Sequence, residues 1–292
     1  DLLMAIAHKL AEGVVGVDEA TVNYLESRPY TPQGEVFDRA KALWLQMVTD
    51  SDAVFDRFCL FETTDCDFSI QGKRPSHQAP YAYEAICTTD ETRNVIEVEN
   101  RGRYHLRLDL NLRTGTLYYS PFEMSGYDDS IPMGLRSGLH AAFSLLLPLY
   151  SRGFFCHSSA VALDNQAILF PGNGNAGKTT IACMFGDDCV LNDDLNIVTC
   201  NEEGPTIHST PFTNRLGQLP PRVAHLSSIF EIIQSPSIEI NEISAADTMR
   251  HLLSHLNVFP NMSRLEADAL SLAHRISMKT KGYQIHFSLN AE

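Results

Sequence analysis

The stretch FPGNGNAGKTT at 170–180 constrains this chain more than any other. Gly172 to Thr179 fits the pattern G-x-x-x-x-G-K-[ST] of a phosphate-binding loop. Such a loop must follow a strand and open a helix. The apolar run QAILF (166–170) before it and TTIACMF (179–185) after it meet that requirement. Glycines let the backbone turn tightly, so that several N–H groups face phosphate oxygens, and the following helix adds its positive end. In this pattern Lys178 reaches the β- and γ-phosphates and the Thr179 hydroxyl holds Mg²⁺. The nucleotide-binding set is Gly172, Asn173, Gly174, Asn175, Ala176, Gly177, Lys178, Thr179 and Thr180.

Two further features sit near the loop. Asp193-Asp194 lies between the apolar segments CVL (189–191) and NIV (196–198). Two adjacent acids there can face one nucleotide: one holds Mg²⁺, directly or through water, and the other takes the proton of an attacking hydroxyl. Read alone, the pair fits a polar turn equally well. His157 lies mid-way along FFCHSSAVAL (154–163), a strand joined to QAILF by Asp164-Asn165, a two-residue hairpin signal. That hairpin would set His157 beside the loop strand. Asp187-Asp188, after Gly186, reads as a turn that ends the short helix.

The remainder reads as two parts, 1–130 and 131–292. The first is an α+β domain of unknown role. A helical pattern at 35–48 precedes strand-like runs at 81–89, 94–100, 104–111 and 116–120, with RTG (113–115) as a turn and SGYDDSIPMG (125–134) as a loop. The second part opens with a helix near 134–150. After the loop region, SSIFEII (227–233) and GYQIHFSL (282–289) read as strands. Ser244 with Asp247, and Ser263 with Glu266, have capping-box spacing ahead of two helices. The expected class is α/β with a mixed sheet.

Charge and cysteine content narrow the setting. The 22 Lys and Arg against 36 Asp and Glu give a net charge of −14, which argues against nucleic acid and an anionic membrane as partners. The 7 cysteines form no C-x-x-C pair. Reduced thiols in a cytoplasm are therefore expected rather than a disulfide framework. No apolar run approaches the roughly 18 residues that span a bilayer.

Together, CHSSAVAL, QAILFPGNGNAGKTTIA and VLNDDLNIV resemble the catalytic domain of HPr kinase/phosphorylase and its HPr-kinase-like relatives. His157, Gly172 to Thr180, and Asp193-Asp194 fall in order on that family's histidine, phosphate loop and acidic pair. PPRVAHLSSIFEI, ISAADTMRHLL and GYQIHFSL resemble the tail of the kinase-like relatives, so the likeness covers about residues 135–290. It implies the phosphoenolpyruvate-carboxykinase-like version of the phosphate-loop fold. It also implies ATP and Mg²⁺ as cofactors, and transfer of the γ-phosphoryl group to a hydroxyl, such as a serine of a peptide or protein.

Lys178, Asp193, Asp194 and His157 would be the catalytic residues, and Thr179, Asp193 and Asp194 the metal ligands. Family members assemble as rings, which leaves a homo-oligomer open. Gly174 and Asn175 replace the family's usual Ser-Gly, and NRLGQLP (214–220) matches its Arg-Gly-x-Gly stretch poorly. Asn tolerates left-handed backbone, so the first departure keeps phosphate binding, while the second counts against phosphorolysis and against HPr as the acceptor. Two other readings stand beside the kinase. One is a nucleotide-binding sensor or assembly module without transfer chemistry. The other is a small-molecule kinase, which a basic ring drawn from Arg136, Arg152, Arg215 and Arg222 would favour.

Overall fold

A computed structural model describes residues 57–62, 85–90 and 94–287, apart from 101–102, 113, 120–123, 126–127, 150–151, 187, 211, 213–221 and 258–262. The helix expected at 35–48 and the stretch 214–220 lie outside the described residues. The chain divides into two compact units, one holding Thr31–Leu146 and the other Leu147–Val258 and Arg264–Glu292.

The first unit contains a five-stranded sheet in the order β1-β5-β4-β3-β2. Its strands are β1 (Arg57–Glu62), β2 (Ala85–Asp90), β3 (Val95–Asn100), β4 (Tyr104–Asp109) and β5 (Thr114–Tyr119). Neighbours are antiparallel except β1 with β5. Along β4, Tyr104, Leu106 and Leu108 are buried while His105, Arg107 and Asp109 are partly or fully exposed, the alternation of a strand with one dry face.

The turn expected at 113–115 is not there. It forms at 110–112, and Thr114 and Gly115 are already paired with Asp109 and Leu108. The reason is the Asp109 carboxylate, whose Oδ1 accepts from the N–H groups of Asn111 (3.1 Å) and Leu112 (2.9 Å) and closes the turn earlier. The loop expected at 125–134 also differs. It contains the short pair β6 (Met124–Ser125) and β7 (Asp128–Pro132), and α1 (Met133–Leu149) starts directly after Pro132. α1 approaches β5 closely at Gly138, where an added Cβ would lie 2.5 Å from Leu117 Cδ1.

The second unit is an α/β structure on a mixed sheet of nine strands. Its elements run β8 (Gly153–Leu163), β9 (Gln166–Pro171), α2 (Lys178–Met184), β10 (Val190–Asn192), β11 (Leu195–Cys200), β12 (Pro205–His208) and β13 (Val223–Gln234). Then follow β14 (Glu239–Ile243), α3 (Ala245–Leu253), β15 (Leu256–Asn257), α4 (Ser263–Lys279) and β16 (Lys281–Phe287). Ser244 caps α3 by accepting the Asp247 N–H at 3.1 Å, as its spacing predicts.

β9 explains its own sequence. It lies between β8 and β13 and is buried on both faces. Ala167 and Leu169 join a core with Leu252 of α3 and Leu272, Ala273 and Ile276 of α4. Ile168 and Phe170 join a second core with Ile181, Ala182 and Phe185 from α2 and the residue after it. Helices therefore cover both sides, and a strand in that position must be apolar throughout.

The pairings also close a circuit, from β8 through β11, β12, β13 and β9 back to β8. β9, β13 and β16 are parallel, so their C-terminal ends meet at one sheet edge. That edge is where an open α/β sheet offers a binding crevice.

α3 presses on β16 at Gly282. A Cβ there would overlap Thr248 Oγ1 and lie 3.0 Å from Ile243 Cγ1. Overpacking of this kind costs about 1–3 kcal/mol. Gly282→Ala should lower unfolding stability by about that amount in urea melts. Unchanged stability would mean that α3 does not sit on β16.

Candidate functional site

The hairpin β8–β9 pairs Ser158 with Pro171 and Leu163 with Gln166. Its two turn residues, Asp164 (φ 47°) and Asn165 (φ 64°), are both left-handed, which is the type I′ turn suited to strand twist. β8 changes partners half-way on both edges: one edge pairs with β11 up to His157 and then with β10, the other with β15 and then, from Ser158, with β9.

The main chain at that change-over ties three distant segments together. The His157 carbonyl accepts the Gly172 N–H (3.1 Å), the His157 N–H donates to the His255 carbonyl (2.9 Å), and the Ser158 N–H donates to the Asp194 carbonyl (2.9 Å). The phosphate loop, the acidic turn and the end of α3 thus share one junction.

The loop has the required backbone. Asn175 (φ 64°) and Gly177 (φ 97°) are left-handed, so Asn fills a position that usually takes Gly. The loop is held from the sides by the C-terminal ends of neighbouring strands. Gln234 of β13 donates Nε2–H to the Asn175 carbonyl at 3.0 Å, and a Cβ on Gly177 would lie 3.0 Å from the Phe287 ring of β16. Asn173, Gly174 and Asn175 are exposed, Ala176, Gly177, Thr179 and Thr180 are half-buried, and Gly172 and Lys178 are buried. Lys178 opens α2, donates from Nζ to the Asn173 carbonyl at 2.9 Å, and has its own carbonyl held by Ser159 Oγ at 2.8 Å.

The acidic turn is fixed with equal care. Asn192, fully buried, donates to the Thr210 carbonyl (2.8 Å) and Oγ1 (3.0 Å), while its Oδ1 accepts the Asp194 N–H at 2.9 Å. Asp193 is 1 % exposed. Asp194 is more open, and its Oδ1 is 3.2 Å from His157 Nε2. A carboxylate only accepts, so the His157 proton facing it sits on Nε2.

Burial lowers the proton affinity of Lys178, opposed chiefly by Asp194 and less by Asp193. The Cys156 thiol beneath the site is pushed up to about 12 by burial, so it is uncharged at neutral pH and the carboxylates are the anions that Lys178 meets. Lys178, Asp193, Asp194 and His157 are therefore brought together. Among the described residues no group of three or more His, Cys, Asp or Glu side chains is arranged to hold a metal ion. Thr179 with the acidic pair would have to share Mg²⁺ with phosphate and water oxygens, the usual manner for that ion.

Of the four arginines that could form a basic ring, the side chains of two are described. Arg152 is exposed, and Arg222 donates to the Asp188 carbonyl. The side chains of Arg136 and Arg215 lie outside the described residues.

Sequence reasoning missed three residues. His251 Nε2 lies 3.2 Å from the Pro171 carbonyl, where β9 gives way to the loop, and its Nδ1 is 3.7 Å from Glu231 Oε1. Glu231 Oε2 accepts from Gln284 at 2.7 Å. His255 Nδ1 lies 2.8 Å from the His251 carbonyl. The available signal was the four-residue spacing of the two histidines, the first on α3 and the second just past its C-cap Ser254.

Burial is the main cause lowering the proton affinity of both rings; each ring disfavours a proton on the other, and the Lys178 ammonium acts on His255 in the same direction. In the unfolded chain histidine titrates near 6.5. A group whose pKa falls on folding stabilises the fold above the unfolded value and loses that contribution as pH drops towards the folded value. The melting temperature should therefore fall as pH is lowered from about 6.5 to 5.5. His251→Gln should flatten that slope, and equal slopes in both proteins would refute the assignment.

No protein-family model matches the chain. A stretch of 53 residues is 49% identical to part of the large subunit of 3-isopropylmalate dehydratase from Azotobacter vinelandii. The match covers 18% of this chain and 11% of that subunit, so the chain spans about a tenth of the length of this curated relative. Among the described residues no helix is long and apolar enough to cross a membrane.

Proposed function

We propose that the unit carrying the loop is an ATP- and Mg²⁺-dependent kinase of the HPr-kinase-like type, with the phosphoenolpyruvate-carboxykinase-like version of the fold. Its acceptor is a hydroxyl of a peptide or protein, serine being the side chain that the resemblance implies. One observation carries this reading: the His157–Ser158 junction binds the phosphate loop and the acidic turn to adjacent main-chain groups. Two segments that chemistry requires together are held together.

The residues fit the implied groups. The loop is left-handed at two positions, a Cβ on Gly174 would meet nothing within 4 Å, and a buried ammonium stands at its end. The loop N–H groups and Lys178 would hold nucleotide phosphates, and Thr179 with one of Asp193 and Asp194 would hold Mg²⁺. ATP supplies the phosphoryl group, and the cation offsets its charge. The remaining carboxylate accepts the acceptor hydroxyl's proton on an oxygen. His157 orients the Asp194 side of the pair through Nε2–H. Phosphoryl transfer needs positioning and charge compensation more than covalent help, and this site offers both.

The test is incubation with γ-labelled ATP, Mg²⁺ and a panel of serine-, threonine- and tyrosine-bearing peptides. Label on a peptide hydroxyl supports the kinase. Nucleotide binding with no transfer to any peptide overturns it in favour of a sensor module. Label found only on small-molecule alcohols overturns the peptide or protein acceptor.

A further inference from the structure

α3 and the turn after it carry two imidazoles that the mechanism above does not use, and the first meets the Pro171 carbonyl where the loop begins. Their ring centroids are 4.7 Å apart. Each contact fixes a tautomer, because a carbonyl oxygen only accepts. His251 must carry its proton on Nε2, facing Pro171, and His255 on Nδ1, facing the His251 carbonyl. The nitrogen of His255 that can gain a proton is thus Nε2. The His255 main chain is itself part of the junction, since its carbonyl holds the His157 N–H.

The titratable and charged groups that act on this ring among the described residues come from four elements. They are His157 on β8, Lys178 on α2, Glu231 on β13 and His251 on α3. Asp194 lies beyond His157.

We infer that His255 is a further phosphate-binding residue of this site, taking up a proton on Nε2 when a phosphate anion enters the loop. This rests on the nucleotide-binding reading above. One proton passes from the solvent or buffer to the Nε2 lone pair, and no other bond forms or breaks. Burial favours the neutral ring, and the Lys178 ammonium acts in the same direction. Several phosphate charges of the opposite sign reverse that balance. The imidazolium then donates a charge-assisted hydrogen bond to a phosphate oxygen. His251 acts through His255 as a positioning residue, its own ring held by the Nε2–H to Pro171 carbonyl bond.

The experiment is calorimetric titration of the full chain with Mg-ADP and with pyrophosphate at pH 7, in two buffers of different ionisation enthalpy. Wild type should take up a substantial fraction of one proton on binding. His255→Gln should lose most of that uptake and bind about tenfold more weakly, the usual scale for one charge-assisted hydrogen bond. His274→Gln, on an exposed position of α4, should leave both unchanged. If His255→Gln does not fold, ring ¹⁵N shifts of the wild-type histidines, with and without pyrophosphate, report the same protonation. Binding without proton uptake, or uptake retained in His255→Gln, overturns this inference alone. Failure of both probes to bind wild type overturns the nucleotide-binding reading and this inference with it.

Discussion

Lys178→Ala should abolish the thermal stabilisation that Mg-ATP gives the wild-type protein. The ammonium is buried at the loop, and Asp194 and Asp193 act on it. It is placed to meet the most negative part of a nucleotide, and removing it also takes away an ammonium that acts on the acidic pair. A ligand at about a hundred times its dissociation constant stabilises the fold by roughly 2.7 kcal/mol. For a unit of this size that corresponds to a rise of about 5–10 °C in melting temperature. The wild type should show that rise, and Lys178→Ala should show almost none. Without nucleotide the variant should melt close to wild type, because burying a lysine is itself unfavourable and alanine removes that cost. Equal shifts in the two proteins would show that the loop is not where ATP binds.

The acidic pair should control chemistry rather than binding. General-base assistance contributes about 10²–10⁴ in rate. Asp193→Asn and Asp194→Asn should each reduce single-turnover transfer by a factor in that range, while ATP still binds at high Mg²⁺. The two should differ in a second respect. The variant that loses a metal ligand should need more Mg²⁺ for half-maximal rate, and the one that loses the base should not. The geometry favours separable roles, because Asp193 is buried while Asp194 is more open and paired with His157. Asparagine keeps an oxygen for the His157 Nε2–H, so Asp194→Asn tests charge and basicity with little loss of orientation. Wild-type rates in both variants would leave a nucleotide-binding module without the proposed chemistry.

The local part of this site was legible in the sequence. Asp164-Asn165 announced a hairpin, the apolar run 166–170 announced a strand, and the Gly-Lys-Thr end of the loop announced a helix. Each of these signals acts between residues close in the chain, where backbone preference decides the outcome. The acidic pair was legible as a break between two apolar runs, and β10 and β11 flank it as expected.

What could not be read was set at long range. The parallel pairing of β9 with β13, which carries Gln234 and Glu231 to the loop, leaves no mark on the sequence of either strand. His251 lies on α3 and His255 just past its end, and nothing in the local sequence marks either. Their importance comes from where α3 ends, and the His157 main chain fixes that. In the first unit one side chain misled the reading. Gly115 suggested a turn, but Asp109 closed the chain first and left the glycine in a strand.

The position of Phe287 has a consequence for the order in which this protein is made. Its ring packs where the Cβ of Gly177 would be, and β16 supplies it only at the very end of the described chain. During synthesis the loop emerges early, flanked by the β8–β9 hairpin, which can close at once. It then waits for β13, and after that for β16, before its walls exist. Contacts between residues so far apart in the chain form slowly, because a long loop must be closed before they are gained. A nascent chain stalled short of β16 should therefore have the whole phosphate-loop motif and yet fail to retain a fluorescent ATP analogue. Emergence of β16 should switch that capacity on in a single step.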